Sequence, residues 1–108
     1  MNAEEIRAFC LSLPGTEESF PFGESVLVFK TGGKIYLLLS LDEETLQFNV
    51  KCDPVLALEL RERHPAVKPG YHMNKKHWNT IYCDGSLGKT ALKEMIKHSY
   101  DCVKKVRK

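Results

Sequence analysis

Two adjacent glycines, Gly32 and Gly33, separate the β-rich runs Val26 to Lys30 and Ile35 to Leu41. Paired glycines accept the positive φ that a two-residue hairpin turn demands at both central positions. This feature commits the first half of the chain to an antiparallel hairpin. The second run, Ile-Tyr-Leu-Leu-Leu-Ser-Leu, is nearly continuously apolar, which predicts a central, well-covered strand. After the polar turn Asp42-Glu43-Glu44, Leu46, Phe48 and Val50 alternate with Gln47, Asn49 and Lys51. Thr45 to Lys51 is therefore predicted as a third strand with one buried and one polar face.

Helix signals flank this meander. Asn2 and Glu5 stand in capping-box spacing, and Ile6, Phe9, Cys10 and Leu13 form one apolar face before Pro14-Gly15. Residues 16–25 read as a loop, whose Phe20 and Phe22 predict that it packs down onto the domain. Asp53-Pro54 is an N-cap with proline at the first helical position, opening a helix over Val55 to Arg63 that Pro65 terminates. Residues 64–77 read as one long irregular stretch, Trp78 to Cys83 as a fourth strand. A last helix begins between Ser86 and Thr90. Leu92, Met95, Ile96, Tyr100, Val103 and Val106 mark its buried stripe, and lysines 89, 93, 97, 104 and 105 mostly fall on its other side. The predicted order is α-β-β-β-α-β-α. This gives a two-layer α+β domain with an antiparallel sheet of about four to five strands and helices packed on it.

The chain has 108 residues, 43% of them hydrophobic, and reads as one domain over its whole length. A chain of this size buries roughly two thirds of its unfolded surface, enough to fold without staples. No apolar run approaches the ~20 residues needed to span a bilayer. The start, Met1-Asn2-Ala3-Glu4-Glu5, has no basic and apolar leader. No membrane association and a cytoplasmic location are the expectations. Cys10, Cys52, Cys83 and Cys102 are widely spaced, which in a reducing compartment predicts packing roles rather than disulfides.

Net charge is +2, but it is unevenly spread. Residues 1–50 hold three Lys/Arg and eight Asp/Glu, and residues 51–108 hold thirteen and six. Such asymmetry admits an anionic partner. Residues 64–83 concentrate it, with Lys68, Lys75 and Lys76 and no acidic side chain. The same stretch carries His64, His72 and His77 among Tyr71, Trp78 and Tyr82. Lysines neutralise phosphates and release condensed counterions. Asn74 and Asn79 can bond phosphates or base edges, and an exposed aromatic ring can stack on an unpaired base. Lys51, on the polar side of its strand, extends the patch. Against this stand ordinary structural roles: exposed lysines are common on loops, and a tryptophan opening a strand reads first as core.

Catalytic and metal chemistry find little support. The histidine spacings match no zinc signature, and no Cys pair completes one. There is no Gly-x-Ser-x-Gly elbow. Gly88-Lys89-Thr90 lacks the earlier glycine of a phosphate-binding loop, because Cys83 occupies that position. A non-catalytic protein without cofactor or bound metal is expected.

Three stretches carry a family resemblance. They are Phe20-Pro21-Phe22-Gly23 with Val26 to Lys30, Lys51-Cys52-Asp53-Pro54 leading to Ala57 to Arg61, and Pro69 to Asn79. Over about residues 3–104 the chain resembles the MmcQ/YjbR family of small bacterial proteins. That resemblance implies a fold like those of bacterial frataxin-like proteins and certain secretion chaperones. It also implies a DNA-binding label resting on a double-wing surface, and it brings no catalytic residues. The leading expectation is a DNA-binding module, for duplex or single strands. In it Lys75, Lys76, Lys51 and Lys68 contact phosphate, Asn74, His72 and His77 add polar contacts, and Tyr71 or Trp78 stacks or supports the loop. The alternatives are a protein-interaction module or homodimer resembling a secretion chaperone, and a small-ligand or metal site around His72 and His77.

Overall fold

The computed structural model describes residues 1–70 and 73–105, the side chain of Lys105 excepted; Tyr71, His72 and Val106 lie outside the described residues. In chain order the elements are α1 (Ala3–Ser12), β1 (Thr16–Ser19), β2 (Val26–Thr31), β3 (Lys34–Ser40), β4 (Gln47–Lys51), α2 (Pro54–Arg63), β5 (Val67–Pro69), β6 (Trp78–Tyr82) and α3 (Lys89–Lys105). The strands form one six-stranded sheet, ordered β1-β2-β3-β4-β6-β5, in which every neighbouring pair is antiparallel.

The fold class is the α+β arrangement expected, but the sheet has six strands rather than four or five. The observed order is α-β-β-β-β-α-β-β-α. The two added strands are its edges. β1 is Thr-Glu-Glu-Ser, which has no apolar residue to alternate, and it pairs on one side only, with β2. β5 is Val-Lys-Pro, three residues ending in proline, which sheets tolerate at an edge. A further correction concerns Phe20 and Phe22. They do not pack down, being 50% and 63% exposed at the turn between β1 and β2.

Local signals act where they were read. Gly32 and Gly33 take φ of 59° and 80°, closing the β2–β3 hairpin. Asn2 accepts from the Glu5 amide at 2.8 Å while the Glu5 carboxylate accepts from the Asn2 amide at 2.9 Å, completing the capping box of α1. Asp53 caps α2 by accepting from the Leu56 amide at 3.2 Å, with Pro54 at the first helical position.

All three helices lie on one face of the sheet. Ile6, Cys10 and Leu13 at α1, Leu60 of α2, and Leu92, Met95, Ile96, Tyr100 and Val103 of α3 meet Leu27, Phe29, Leu37, Leu39, Phe48, Val50, Val67 and Ile81 there. Each fully buried side chain of this kind contributes about 1.5–3 kcal/mol, so α3 is held mainly by its apolar stripe rather than by helix propensity.

A bulge organises the join between α3 and the sheet. Phe29 pairs with Leu37 but Lys30 pairs with Ile35, so Tyr36 is the extra residue. Tyr36 and Leu37 are both wholly buried. The Tyr36 ring meets Tyr100 of α3 edge-to-face, 5.3 Å between centroids. The bulge also ends the β3–β4 ladder at Leu37 and Val50. Beyond it the Ser99 hydroxyl of α3 substitutes for the missing rung, donating to the Tyr36 carbonyl and accepting from the Lys51 amide at 2.8 Å. Replacing Ser99 by Ala leaves a buried carbonyl and an amide without partners. The expected loss is about 1–3 kcal/mol of stability, measured as a lower urea midpoint at an unchanged slope.

Candidate functional site

The face opposite the helices is defined by alternation and register. On β4, Phe48 and Val50 point into the core, so Gln47, Asn49 and Lys51 point away from it. Their partners on β6 are Tyr82, Thr80 and Trp78, and Lys68 of β5 stands opposite Thr80. The Thr80 hydroxyl donates to Asn49 Oδ1, confirming that this row shares a face. Trp78, read first as core, is partly exposed here, directly opposite Lys51.

Topology also sorts the charge. The end of the sheet that carries Lys51 and Trp78 receives the Lys30–Lys34 turn of the β2–β3 hairpin and the segment Asn74 to His77 that enters β6. The other end, at Gln47 and Tyr82, receives Glu24, Asp42, Glu43, Glu44 and Asp84. The asymmetry between the chain's two halves thus becomes a polarity along the strands. Lys68, Asn74, Lys75 and Lys76 are exposed, while Lys51 and His77 are half-buried. Acidic groups at the basic end are few. Glu17 stands opposite Lys30 on the far edge, Asp53 caps α2, and Asp101 pairs with Lys97 at 3.0 Å. Lys97 and Lys104 flank Tyr100 on the helix side, so they border the open face rather than extend it.

The basic segment is fixed by backbone hydrogen bonds, and their main organiser is a residue that sequence reasoning passed over. Arg61 of α2 donates through Nε to Asn79 Oδ1 at 2.7 Å and through Nη2 to the carbonyls of Lys75 and of Trp78, the latter at 3.1 Å. Asn74 accepts from the Lys76 amide at its side-chain oxygen, 2.9 Å, and from the His77 and Trp78 amides at its carbonyl. It is therefore first a turn-former. The Cys52 amide donates to the His77 carbonyl at 2.7 Å, and the Gly70 amide to Trp78 at 2.9 Å. Asn79, read as a polar contact for nucleic acid, is instead 1% exposed and faces the helices. His72 falls outside the described residues.

Burial governs the thiols. Cys10 is pushed up to about 12 and Cys52 to about 11 by desolvation, and burial raises Cys83 as well. These three are held as thiols at neutral pH, which suits packing rather than nucleophilic attack. Cys102 Sγ lies 3.4 Å from His98 Nε2, one helical turn away on α3. Among the described residues no three His, Cys, Asp or Glu side chains converge to hold a metal ion, and no helix is long and apolar enough to cross a membrane.

Two substitutions test how the segment is held. Arg61→Ala strands the Lys75 carbonyl and the Asn79 oxygen and takes one of two donors from the Trp78 carbonyl, with an expected cost of about 2–3 kcal/mol and faster hydrogen exchange across residues 74–79. Arg61→Lys restores only part, because an ammonium cannot reproduce the guanidinium fork. Gly70→Ala places a Cβ 2.8 Å from Trp78 Cβ and 3.0 Å from its carbonyl oxygen. An expected loss of about 1–3 kcal/mol, read in thermal unfolding, accompanies a displaced Trp78 and hence a shifted tryptophan emission.

The comparisons with known proteins agree with this architecture. The family model described as YjbR matches residues 11–102. Uncharacterised protein YbdF of Escherichia coli O157:H7 is 39% identical over 100 residues, covering 93% of this chain and 82% of that protein. Uncharacterised protein YjbR of Escherichia coli K12 is 31% identical over 100 residues, covering 93% and 85%. Among solved structures, a Deinococcus radiodurans protein with a DUF419 domain superposes with a TM-score of 0.91 at 38% identity, over 96% of this chain and 79% of that one. A Pseudomonas syringae protein superposes with a TM-score of 0.82 at 27% identity, over 94% and 98%. With the family model matching most of its length, this chain belongs to the YjbR family.

Proposed function

We propose that the basic end of the open sheet face binds DNA through its phosphates, without base-specific readout and without catalysis. The observation that carries this reading is the register of β4 and β6. It sets Lys51 beside the partly exposed Trp78 on a face no helix covers, with Lys68 on the next strand and Lys75 and Lys76 at the same end. A flat basic surface with one presented ring suits phosphate neutralisation plus stacking, and so favours single-stranded or unpaired DNA. His77 and Asn74 border the same end, with the exposed side-chain NH2 of Asn74 able to donate. The acidic far end sets the orientation of the strand on the sheet by repulsion. The double-wing surface that the family resemblance implies is consistent with an approach by nucleic acid, and a cytoplasmic location belongs to the same reading.

Fluorescence anisotropy with labelled single-stranded and duplex DNA tests it. Four phosphates neutralised by Lys51, Lys68, Lys75 and Lys76 predict a slope of log affinity against log salt of about −3 to −4. Lys75→Ala/Lys76→Ala should lower the slope magnitude by about 2 at intact fold. Binding that ignores salt, or is equal in the double variant, would overturn the proposal.

A second reading has its own observation. Phe20 and Phe22 are exposed at the acidic end, with Leu41 also 41% exposed. Exposed aromatic residues of this kind suit a protein partner or a second copy of the chain. Self-association lost in Phe22→Ser, measured by sedimentation, would favour that reading over DNA.

A further inference from the structure

On the helix side, behind Trp78, a cavity of about 270 Å³ opens between α2, α3 and the sheet. Its walls are mostly apolar: Val50, Leu56, Leu60, Ile81, Ala91 and Met95 all line it. Asn79 lines it too, and its Nδ2 is buried with no hydrogen-bond partner. The orientation of that amide is fixed. Arg61 Nε can only donate, and it donates to the other end of the amide at 2.7 Å, so the atom facing Arg61 is the oxygen and the NH2 is the orphan. The guanidinium withdraws electron density through the amide and strengthens Nδ2–H as a donor.

A buried donor without an acceptor is disfavoured in a folded protein, and the sequence could have avoided it with a hydrophobic residue in strand β6. Water beside the amide is poorly held. A well-ordered water needs two or more polar partners, and Val50 opposite Asn79 and Ile81 two residues on bring only apolar side chains next to the amide. We infer that this cavity is a binding site for a small, largely apolar molecule carrying one acceptor oxygen, carbonyl or carboxylate, which Asn79 Nδ2 receives. Arg63, His64 and His98 line the same cavity beside the carboxylate of Glu94. His98 accepts from the Asp53 amide at Nε2, 3.2 Å, so its proton lies on Nδ1. Scaled from a cavity of about 150 Å³ that holds benzene, the space takes a ligand of roughly ten heavy atoms.

This site is independent of the DNA reading. It opens on the helix side of the sheet, and of the lysines proposed to contact phosphate Lys51 alone also lines it, while the ligand contact is made by Asn79. The two also share Arg61, whose Nε holds Asn79 and whose Nη2 holds the carbonyls of Lys75 and Trp78.

The test is a titration of isotopically labelled protein with benzoate, benzamide and ethylbenzene, followed by NMR. Benzoate or benzamide should shift the Asn79 side-chain amide pair together with methyl signals of Leu60, Ile81 and Met95. The expected dissociation constant is about 1 mM for molecules of this size. Ethylbenzene, alike in shape but without an acceptor, should bind roughly tenfold more weakly. Ala91→Leu fills the cavity while leaving Asn79 and Arg61 in place, and should abolish the shifts in a protein with an otherwise native spectrum. The inference is overturned if neither oxygen-bearing probe moves the Asn79 amide. It also fails if ethylbenzene binds as tightly, or if Ala91→Leu binds as the parent does.

Discussion

The guanidinium of Arg61 ties helix α2 to the segment that enters β6. The stretch entering β6 has no strand partner for Asn74 to His77 and little apolar content to bury. The carbonyls of Asn74 and His77 have backbone partners, whereas that of Lys75 would otherwise turn to water. One side chain from α2 takes it, the Trp78 carbonyl and the buried oxygen of Asn79. Charge-assisted bonds of this kind are stronger than neutral ones, and the fork geometry fixes direction as well as distance. The position of Trp78 follows from this. So does that of Lys75 and Lys76, because the carbonyl of Lys75 is one of the anchored groups. The placement of the basic segment relative to the sheet is thus a consequence of helix α2.

The second constraint is that the sheet is covered on one side only. Helices α1, α2 and α3 share one face, and the other presents a mixed surface of Lys51, Trp78, Asn49, Lys68 and Tyr82, with Thr80 buried among them. Antiparallel sheets tolerate this because alternation lets one face be polar. Here the polar face is also polarised lengthwise, with lysines at one end and carboxylates at the other. The helix side holds the complementary feature, an apolar cavity with one unsatisfied amide. Two surfaces with opposite chemistry back onto the same two residues of β6, Trp78 and Asn79.

What the sequence revealed and what it hid follow one physical line. Signals completed within four residues were legible. The Asn2–Glu5 box, the Gly32–Gly33 turn and the Asp53–Pro54 start act in the fold as they read on the page. Features set by distant partners were not. Thr16–Ser19 is a strand only because β2 offers its free edge, and Phe20 and Phe22 are left outside because that strand ends before them. The run Trp-Asn-Thr-Ile-Tyr is the clearest case. Hydropathy alone puts Trp78 and Tyr82 inward, yet Asn79 and Ile81 face the core. Asn79 can be buried because Arg61, eighteen residues away, satisfies its oxygen. Lys51 was read correctly as outward, since its own strand alternates cleanly, but its neighbour across the sheet could not be known.

The most direct test of the central claim is a map of amide shifts on adding single-stranded DNA at low salt. The account predicts perturbations confined to one surface: Lys51, Lys68, Asn74 to Trp78 and the Lys30–Lys34 turn, with quenching of Trp78 emission. Shifts centred on α1 and the outer surface of α3, or on the acidic end around Asp42 to Glu44, would contradict it, as would the absence of any shift.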